Sequence, residues 1–421
     1  MHVSKNRGKV YPQVDLSISK PQLVFCKKKG MVMLSKEYSL GDKSISRMER
    51  QIREHCETID VVLNGARPWD LTIHDKRVYK RIMSDLSLGF GESYMDGWWD
   101  CARLDEFFMH FTRHIDVKSF YNKLVLIKFY LKHILKNQQS KLRSKRVAQV
   151  HYNLGNDLYE SMLGKTMAYT CGYWRSSKTL DEAQYAKYDL VCQKLHLQPG
   201  ENVLELGCGW GGFAYHAAKN YGVRMTSVNI AQEQMAYAKI LCRDLPVNLV
   251  VSDYRDSASY NPQHQQFDKV VSVGMCEHVG HKNYRQFFSI AAKQLKSEGL
   301  FLMHTIGKNS SDKFTDPWIQ KYIFPGGMLP SIKLLAQAVE GLFVIEDIHN
   351  FGADYDKTLM AWYDNFKCAW PTLKEKYGER FYRMWRFYLL GCAGAFRSRS
   401  IDLWQFVFSP KGVLDGYQSI R

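Results

Sequence analysis

Val203-Leu-Glu-Leu-Gly-Cys-Gly-Trp-Gly-Gly-Phe213 is a short apolar run that breaks into glycines and leads into the helix-forming residues 214–219. It reads as a strand, a tight turn and a helix. Gly207, Gly209 and Gly211 stand two residues apart, and Glu205 lies two places before the first of them. Lacking Cβ atoms, Gly207 and Gly209 let the backbone turn sharply and approach a bound molecule closely. A dinucleotide-binding turn would carry G-x-G-x-x-G and seat a pyrophosphate at the helix start. This spacing is different.

Outward from that loop, strand-like and helical stretches alternate after Pro199-Gly200, with strand-like runs at 202–206, 225–229, 247–251, 269–273 and 300–305. Such alternation predicts an α/β, Rossmann-like, doubly wound sheet. Two later runs, 342–348 and 403–408, would complete seven strands and a catalytic domain over 151–421. Upstream, 46–120 reads as a small N-terminal unit, α+β or mostly helical. Within it 59–65 is expected as a short strand, 78–86 as a short helix, and the glycine- and aromatic-rich 88–99 as an ordered loop of packed rings. Between them, 121–150 reads as a basic amphipathic linker helix: Leu124, Ile127, Leu131 and Ile134 recur at helical spacing while Lys128, Lys132 and Lys136 line another face. Near an anionic lipid surface each such cation gains roughly 1 kcal/mol, although a solvated linker helix shows the same pattern. Residues 1–45 are rich in lysine, lack periodicity and read as an extension without a core of its own.

With 421 residues, 45% of them hydrophobic and 14% aromatic, the chain has material for two domains and a large core. A formal net charge of +16 points to a negatively charged partner, either nucleic acid or an anionic membrane. Ten cysteines without C-x-x-C spacing, together with the absence of a secretory signal pattern, point to reduced thiols in the cytoplasm and to no structural zinc. No run approaches the roughly 18 to 20 uninterrupted apolar residues of a membrane span, so membrane contact is expected to be peripheral.

The E-x-G-x-G-x-G loop resembles the first motif of S-adenosylmethionine methyltransferases. In that fold an acidic residue ending the second strand usually holds the ribose, but here Val228-Asn-Ile-Ala-Gln-Glu-Gln234 offers Asn229, Ile230 and Gln234. After the third strand, Tyr254 is expected against the adenine, with Asp253 accepting from its amino group. Four further segments, taken with the loop, resemble the cyclopropane-fatty-acyl-phospholipid synthases and the related mycolic acid cyclopropane synthases. They are His151-Tyr-Asn-Leu-Gly-Asn-Asp157 with Tyr169-Thr-Cys-Gly-Tyr-Trp174; Val271-Ser-Val-Gly-Met-Cys-Glu-His-Val-Gly280; His304-Thr-Ile-Gly307 with Tyr322-Ile-Phe-Pro325; and Asn350-Phe-Gly-Ala-Asp-Tyr-Asp356. The resemblance runs from about residue 46 to the C-terminus.

What it implies is methylene transfer from S-adenosylmethionine to a cis double bond in an unsaturated phospholipid acyl chain. Tyr169 and Thr170 join the cofactor residues. A carbocation left on the acyl chain would be stabilised by aromatic faces, for which Tyr169, Tyr173, Trp174 and Tyr322 are candidates. Ring closure needs a base, which the resemblance assigns to a bicarbonate caged by Cys171, Glu277, His304, the backbone of Ile306, and Tyr355. Thiol, imidazole, phenol and amide donate to an oxyanion, while a carboxylate accepts from the bicarbonate hydroxyl. Cys392 aligns with a cysteine proposed as catalytic in the family. The resemblance also implies a homodimer at the inner face of the cell membrane, with no nucleic acid partner. Two other readings share these residues: a methyl-branching or small-molecule methyltransferase, and a non-catalytic basic binding protein.

Overall fold

The computed structural model describes residues 42–114, 155–312 and 315–421. The expected extension up to residue 41 and the expected linker helix lie outside them. The first helix, α1 (Asp42–Thr58), carries Ile45, Met48, Ile52 and Cys56 at helical spacing, and Ile52 and Cys56 are buried. β1 (Thr72–Ile73) pairs antiparallel with β2 (Trp99–Asp100), and between them runs α2 (Arg77–Met95). α3 (Leu104–His114) closes this N-terminal part.

Residues 59–65, expected as a strand, do not form one. Asp60 and Asn64 both take φ of 57°, which breaks an extended run, and only Leu63 pairs, in an isolated bridge with Leu71. Residues 88–95, expected as loop, are helical: α2 continues past a break at Leu86 (φ 56°) as far as Met95. The glycines that suggested a loop serve close packing instead. A Cβ on Gly91 would sit 2.4 Å from the Trp318 indole. The expected ring packing is present, with Phe90 stacked on Trp99 at 4.3 Å.

The remaining elements in chain order are α4 (Asn156–Leu163), α5 (Leu180–Lys194), β3 (Asn202–Leu206), α6 (Gly212–Tyr221), β4 (Arg224–Asn229), α7 (Gln232–Leu241), β5 (Val247–Val251), α8 (Ser257–Tyr260), β6 (Phe267–Val273), α9 (Cys276–Val279), α10 (Tyr284–Gln294) and β7 (Leu295–Gly307). They are followed by α11 (Pro317–Tyr322), α12 (Ile332–Val339), β8 (Val344–Asn350), α13 (Ala353–Tyr377), α14 (Glu379–Arg397) and β9 (Asp402–Ser409). Seven strands form one sheet in the order β5-β4-β3-β6-β7-β9-β8, parallel except where β9 pairs with β7 and β8. All seven strands expected between residues 202 and 409 are present.

The middle of the sheet is covered on both faces, so Val203, Leu204, Glu205 and Leu206 are all buried, as parallel strands require. In register, Glu205 lies opposite Ser227 of β4 and Val271 of β6. A third core joins α1–α3 to α13 and α14 through Trp99, Phe107, Trp385 and Leu389. There Arg397 of α14 bridges Asp105 of α3 (2.7 Å) and Asp356 of α13 (2.9 Å).

Candidate active site

A cavity of about 670 Å³ opens over the C-terminal ends of β3, β4 and β6, where ligands of open α/β sheets gather. Its wall includes Glu205, Gly207, Gly209, Asn229, Ile230, Gln234, Asp253 and Tyr254, together with Tyr169 and Thr170. The structure thus brings every expected cofactor residue to one cavity. The same wall continues into the N-terminal part through Ile52, Ile59, Leu63, Phe107 and Phe111.

Gly209 holds φ of 53°, and a Cβ there would meet no atom within 4 Å, so its bare backbone faces open space. Asn229 Nδ2 donates to Gly209 O (3.2 Å) and to Gln234 Oε1 (2.8 Å), which orients both amides at the end of β4. The two oxygens of buried Asp253 accept from Arg255, at 2.7 and 2.6 Å. Glu205 accepts from Ser227 Oγ at 2.8 Å. Burial pushes its carboxyl up to about 7, against the pull of the Ser227 hydrogen bond and of Lys187.

The same wall also includes Glu277, Ile306, Tyr355 and Cys392. Glu277 starts the short helix after β6, and its Oε1 accepts from Ile306 N–H at 2.7 Å, at the end of β7. Its Oε2 is buried without a hydrogen-bond partner, and burial pushes the carboxyl up to about 7. The Tyr355 ring stacks on Phe396 at 4.4 Å, and its phenol is pushed up by burial and by the nearby Cys171 and Glu277.

Cys171 and His304 are buried and do not line this wall. Cys171 Sγ is fully buried and turns to Gly172 O (3.1 Å) and Thr358 Oγ1 (3.8 Å), and burial keeps the thiol protonated. His304 receives a hydrogen bond at Nδ1 from Gln405 Nε2 (3.3 Å), while its Nε2 has no partner. Burial holds the imidazole neutral, so Nε2 carries the proton and is a donor. Burial also pushes the Cys392 thiol up to about 12, so this wall residue presents no thiolate at neutral pH.

Of the four rings expected around a cation, Tyr169 alone reaches the cavity wall. Tyr173 packs on Phe351 (5.3 Å), and Trp174 Nε1 donates to Thr358 (2.9 Å). Tyr322 donates to Glu92 at 2.8 Å and lies beneath Lys321, tied into a surface ion-pair network that draws it off the cavity. Conversely, Tyr388, His278 and Lys187 line the cavity and were not singled out from the sequence. For Lys187 a signal existed. It falls on the buried face of α5 with Ala183, Leu190 and Val191, a place where a lysine needs a reason.

Residues 139–406 match the mycolic acid cyclopropane synthetase family. The chain is 46% identical over 392 residues to the cyclopropane-fatty-acyl-phospholipid synthase of Escherichia coli strain K12, covering 91% of this chain and 98% of that one. The chain belongs to the cyclopropane synthase family. That membership makes it a methyltransferase, with S-adenosylmethionine as the methyl donor. A cyclopropane synthase of Mycobacterium tuberculosis superposes with a TM-score of 0.58 at 29% identity, over 63% of this chain and 97% of that one. A mycolic acid cyclopropane synthase solved with S-adenosylhomocysteine and CTAB gives 0.57 at 30% identity, over 63% and 97%. A sphingolipid C9-methyltransferase of Candida albicans is 30% identical over 76% of this chain. The open backbone of Gly209 and the oriented amides of Asn229 and Gln234 fit a nucleoside-bearing donor.

Proposed function

We propose that this methyltransferase converts cis double bonds in phospholipid acyl chains to cyclopropanes, with bicarbonate as the base that closes the ring. The observation that carries this reading is the pair of buried polar atoms without partners, Glu277 Oε2 and His304 Nε2, by a cavity whose wall is mostly apolar. Orphaned buried polar atoms are costly and ask for a polar occupant. One is an acceptor when ionised and the other a donor, which suits an anion that itself carries one hydroxyl. Tyr355, protonated and on the wall, would add a donor, whereas the Cys171 thiol already donates to Gly172 O and would have to turn to join it. The Ile306 amide, as it stands, is held by Glu277.

When bound, the sulfonium donor supplies an electrophilic methyl group, and bicarbonate supplies a basic oxygen. The chain does the positioning. The glycine loop, Asn229 and Gln234 hold the donor at the strand ends, with Tyr254 against its base. Tyr169, whose hydroxyl donates to Tyr388 at 2.8 Å, presents a fixed ring to cationic character on the acyl chain. Glu277 and His304 hold the anion where a proton of the transferred methyl must leave. The apolar wall excludes water, which would otherwise capture the cation.

The acyl chain itself fits the arm of the cavity lined by Ile52, Ile59, Leu63 and Phe107. We therefore assign the N-terminal unit of 46–120 to lipid binding and the residues from 151 onward to catalysis. Among the described residues no helix is long and apolar enough to cross a membrane. Peripheral docking on the anionic inner face of the cell membrane, by a homodimer, is the arrangement we propose. Methyl branching without ring closure is the competing outcome, and the Candida relative is named a C9-methyltransferase.

Incubation with S-adenosylmethionine and unsaturated phospholipid vesicles tests the reading. Acyl chains should gain one CH₂ per double bond and lose the alkene signal. Retention of an alkene beside an added methyl would overturn it.

A further inference from the structure

Two lysines on α5 are buried, Lys187 at 1% and Lys194 at 0% exposure. Lys194 is answered: His349 Nδ1 lies at 3.0 Å and Asp347 Oδ2 at 3.8 Å. Lys187 lines the cavity, yet its hydrogen bond goes to a neutral hydroxyl, Thr170 Oγ1, at 2.9 Å, with the Tyr188 ring 4.1 Å away. Glu205 acts on it electrostatically, but makes its own hydrogen bond to Ser227. Two other cations of the cavity wall meet carboxylates directly, Arg255 on Asp253 and Lys308 on Asp312.

Opposite charges therefore stand on one wall, each hydrogen-bonded to a neutral hydroxyl. Burying an ammonium is costly unless an anion meets it. The adjoining backbone is fixed. Gln184, one turn before Lys187, donates Nε2 to Thr170 O at 2.8 Å, so one helix face holds both the carbonyl and the hydroxyl of Thr170. Gly274 leaves room for the Thr170 methyl, since a Cβ there would lie 2.6 Å from Thr170 Cγ2.

We infer that Lys187 is a positioning residue for the α-carboxylate of the methyl donor, acting through the Thr170 hydroxyl, while Glu205 faces the α-amino group. The zwitterionic amino-acid end of S-adenosylmethionine carries both charges that this wall lacks a partner for. With Lys187 donating to Thr170 Oγ1, the Thr170 proton is free to point at a carboxylate oxygen. Burial pushes Lys187 down to about 7 and Glu205 up to about 7, and a zwitterion between them favours the charged form of each.

The inference rests on the S-adenosylmethionine dependence stated above, and a binding experiment separates the two. Calorimetry is run with S-adenosylhomocysteine, its carboxamide, and 5′-methylthioadenosine, which lacks the amino-acid end, on the wild type, Lys187→Met and Thr170→Val. Both variants should lose about 10- to 100-fold in affinity for S-adenosylhomocysteine, as for a hydrogen bond to a charged group. Affinity for methylthioadenosine should stay within about threefold, which also reports that the fold is intact. The carboxamide should bind the wild type as weakly as the variants bind S-adenosylhomocysteine, with no further loss in the variants. In turnover, KM for the donor should rise with kcat little changed. If Lys187→Met does not fold, Thr170→Val and the carboxamide complete the cycle. Equal losses for both nucleosides, or undiminished S-adenosylhomocysteine binding, would overturn the inference. Failure of the wild type to bind either nucleoside would overturn the cofactor assignment with it.

Discussion

Glu277 shows how a single residue takes its role from its surroundings. It is one carboxylate among many in the chain, but only the end of β6 puts it next to the Ile306 amide and leaves Oε2 without a partner. Glu277→Gln keeps the shape and the bond from Ile306 and removes the charge. Turnover should fall at least 100-fold while affinity for S-adenosylhomocysteine stays within about threefold, on the magnitudes usual for a preorganised polar group at a reacting centre. Steady-state kinetics with calorimetry would decide, and a near-normal rate would remove Glu277 from the mechanism. Its carboxyl is raised to about 7, so it is neutral below that pH and ionised above it. The logarithm of kcat/KM should accordingly decline as pH drops below about 7. A profile flat down to pH 5.5 would contradict the need for an ionised group.

At the scale of elements, the contact of α3 with α14 is set by one missing side chain. A Cβ on Gly394 would lie 2.5 Å from Asp105 O and 2.7 Å from Met109 N, both of them backbone atoms that cannot swing away. Gly394→Ala should cost about 1–3 kcal/mol or more by forcing the helices apart. A denaturant titration that finds the variant as stable as the wild type would show that α3 yields at no cost. The same kind of close approach explains why 88–95 misled as sequence. Glycine in a strand-poor, aromatic stretch resembles a loop, whereas here it lets α2 lie against Trp318. By contrast, all seven sheet strands were legible, because buried parallel strands are plain apolar runs bounded by turns.

Across the whole molecule, the cavity wall is shared by segments far apart in the chain. Leu63→Trp would fill part of the arm provided by the N-terminal part of the chain. Turnover on vesicles of long-chain lipids should drop about tenfold relative to short-chain ones, with donor affinity unchanged. Equal rates on both would place the acyl chain elsewhere. Stability against acid is another collective property. His349 is held neutral down to about 3, first by burial and then by Lys194 and Arg421. Unfolded, it takes a proton below about 6.5, so its contribution is complete above that pH and is lost as the pH falls towards 3. In His349→Gln the decline of Tm between about pH 6.5 and 4 should be shallower than in the wild type. An unchanged slope in thermal melts would show that other groups carry the acid sensitivity.

From residues alone one could read the strand order along the chain, the glycine turn, and the polar groups at the strand ends, because periodicity and motif spacing are local properties of a chain. Which of those groups share a wall is not local. Tyr322 is drawn off to Glu92, Cys171 turns away to Thr358, and Lys187 arrives from a helix that precedes the glycine loop. Those outcomes depend on packing between segments distant in sequence, where burial and the partners nearby decide what each side chain can do.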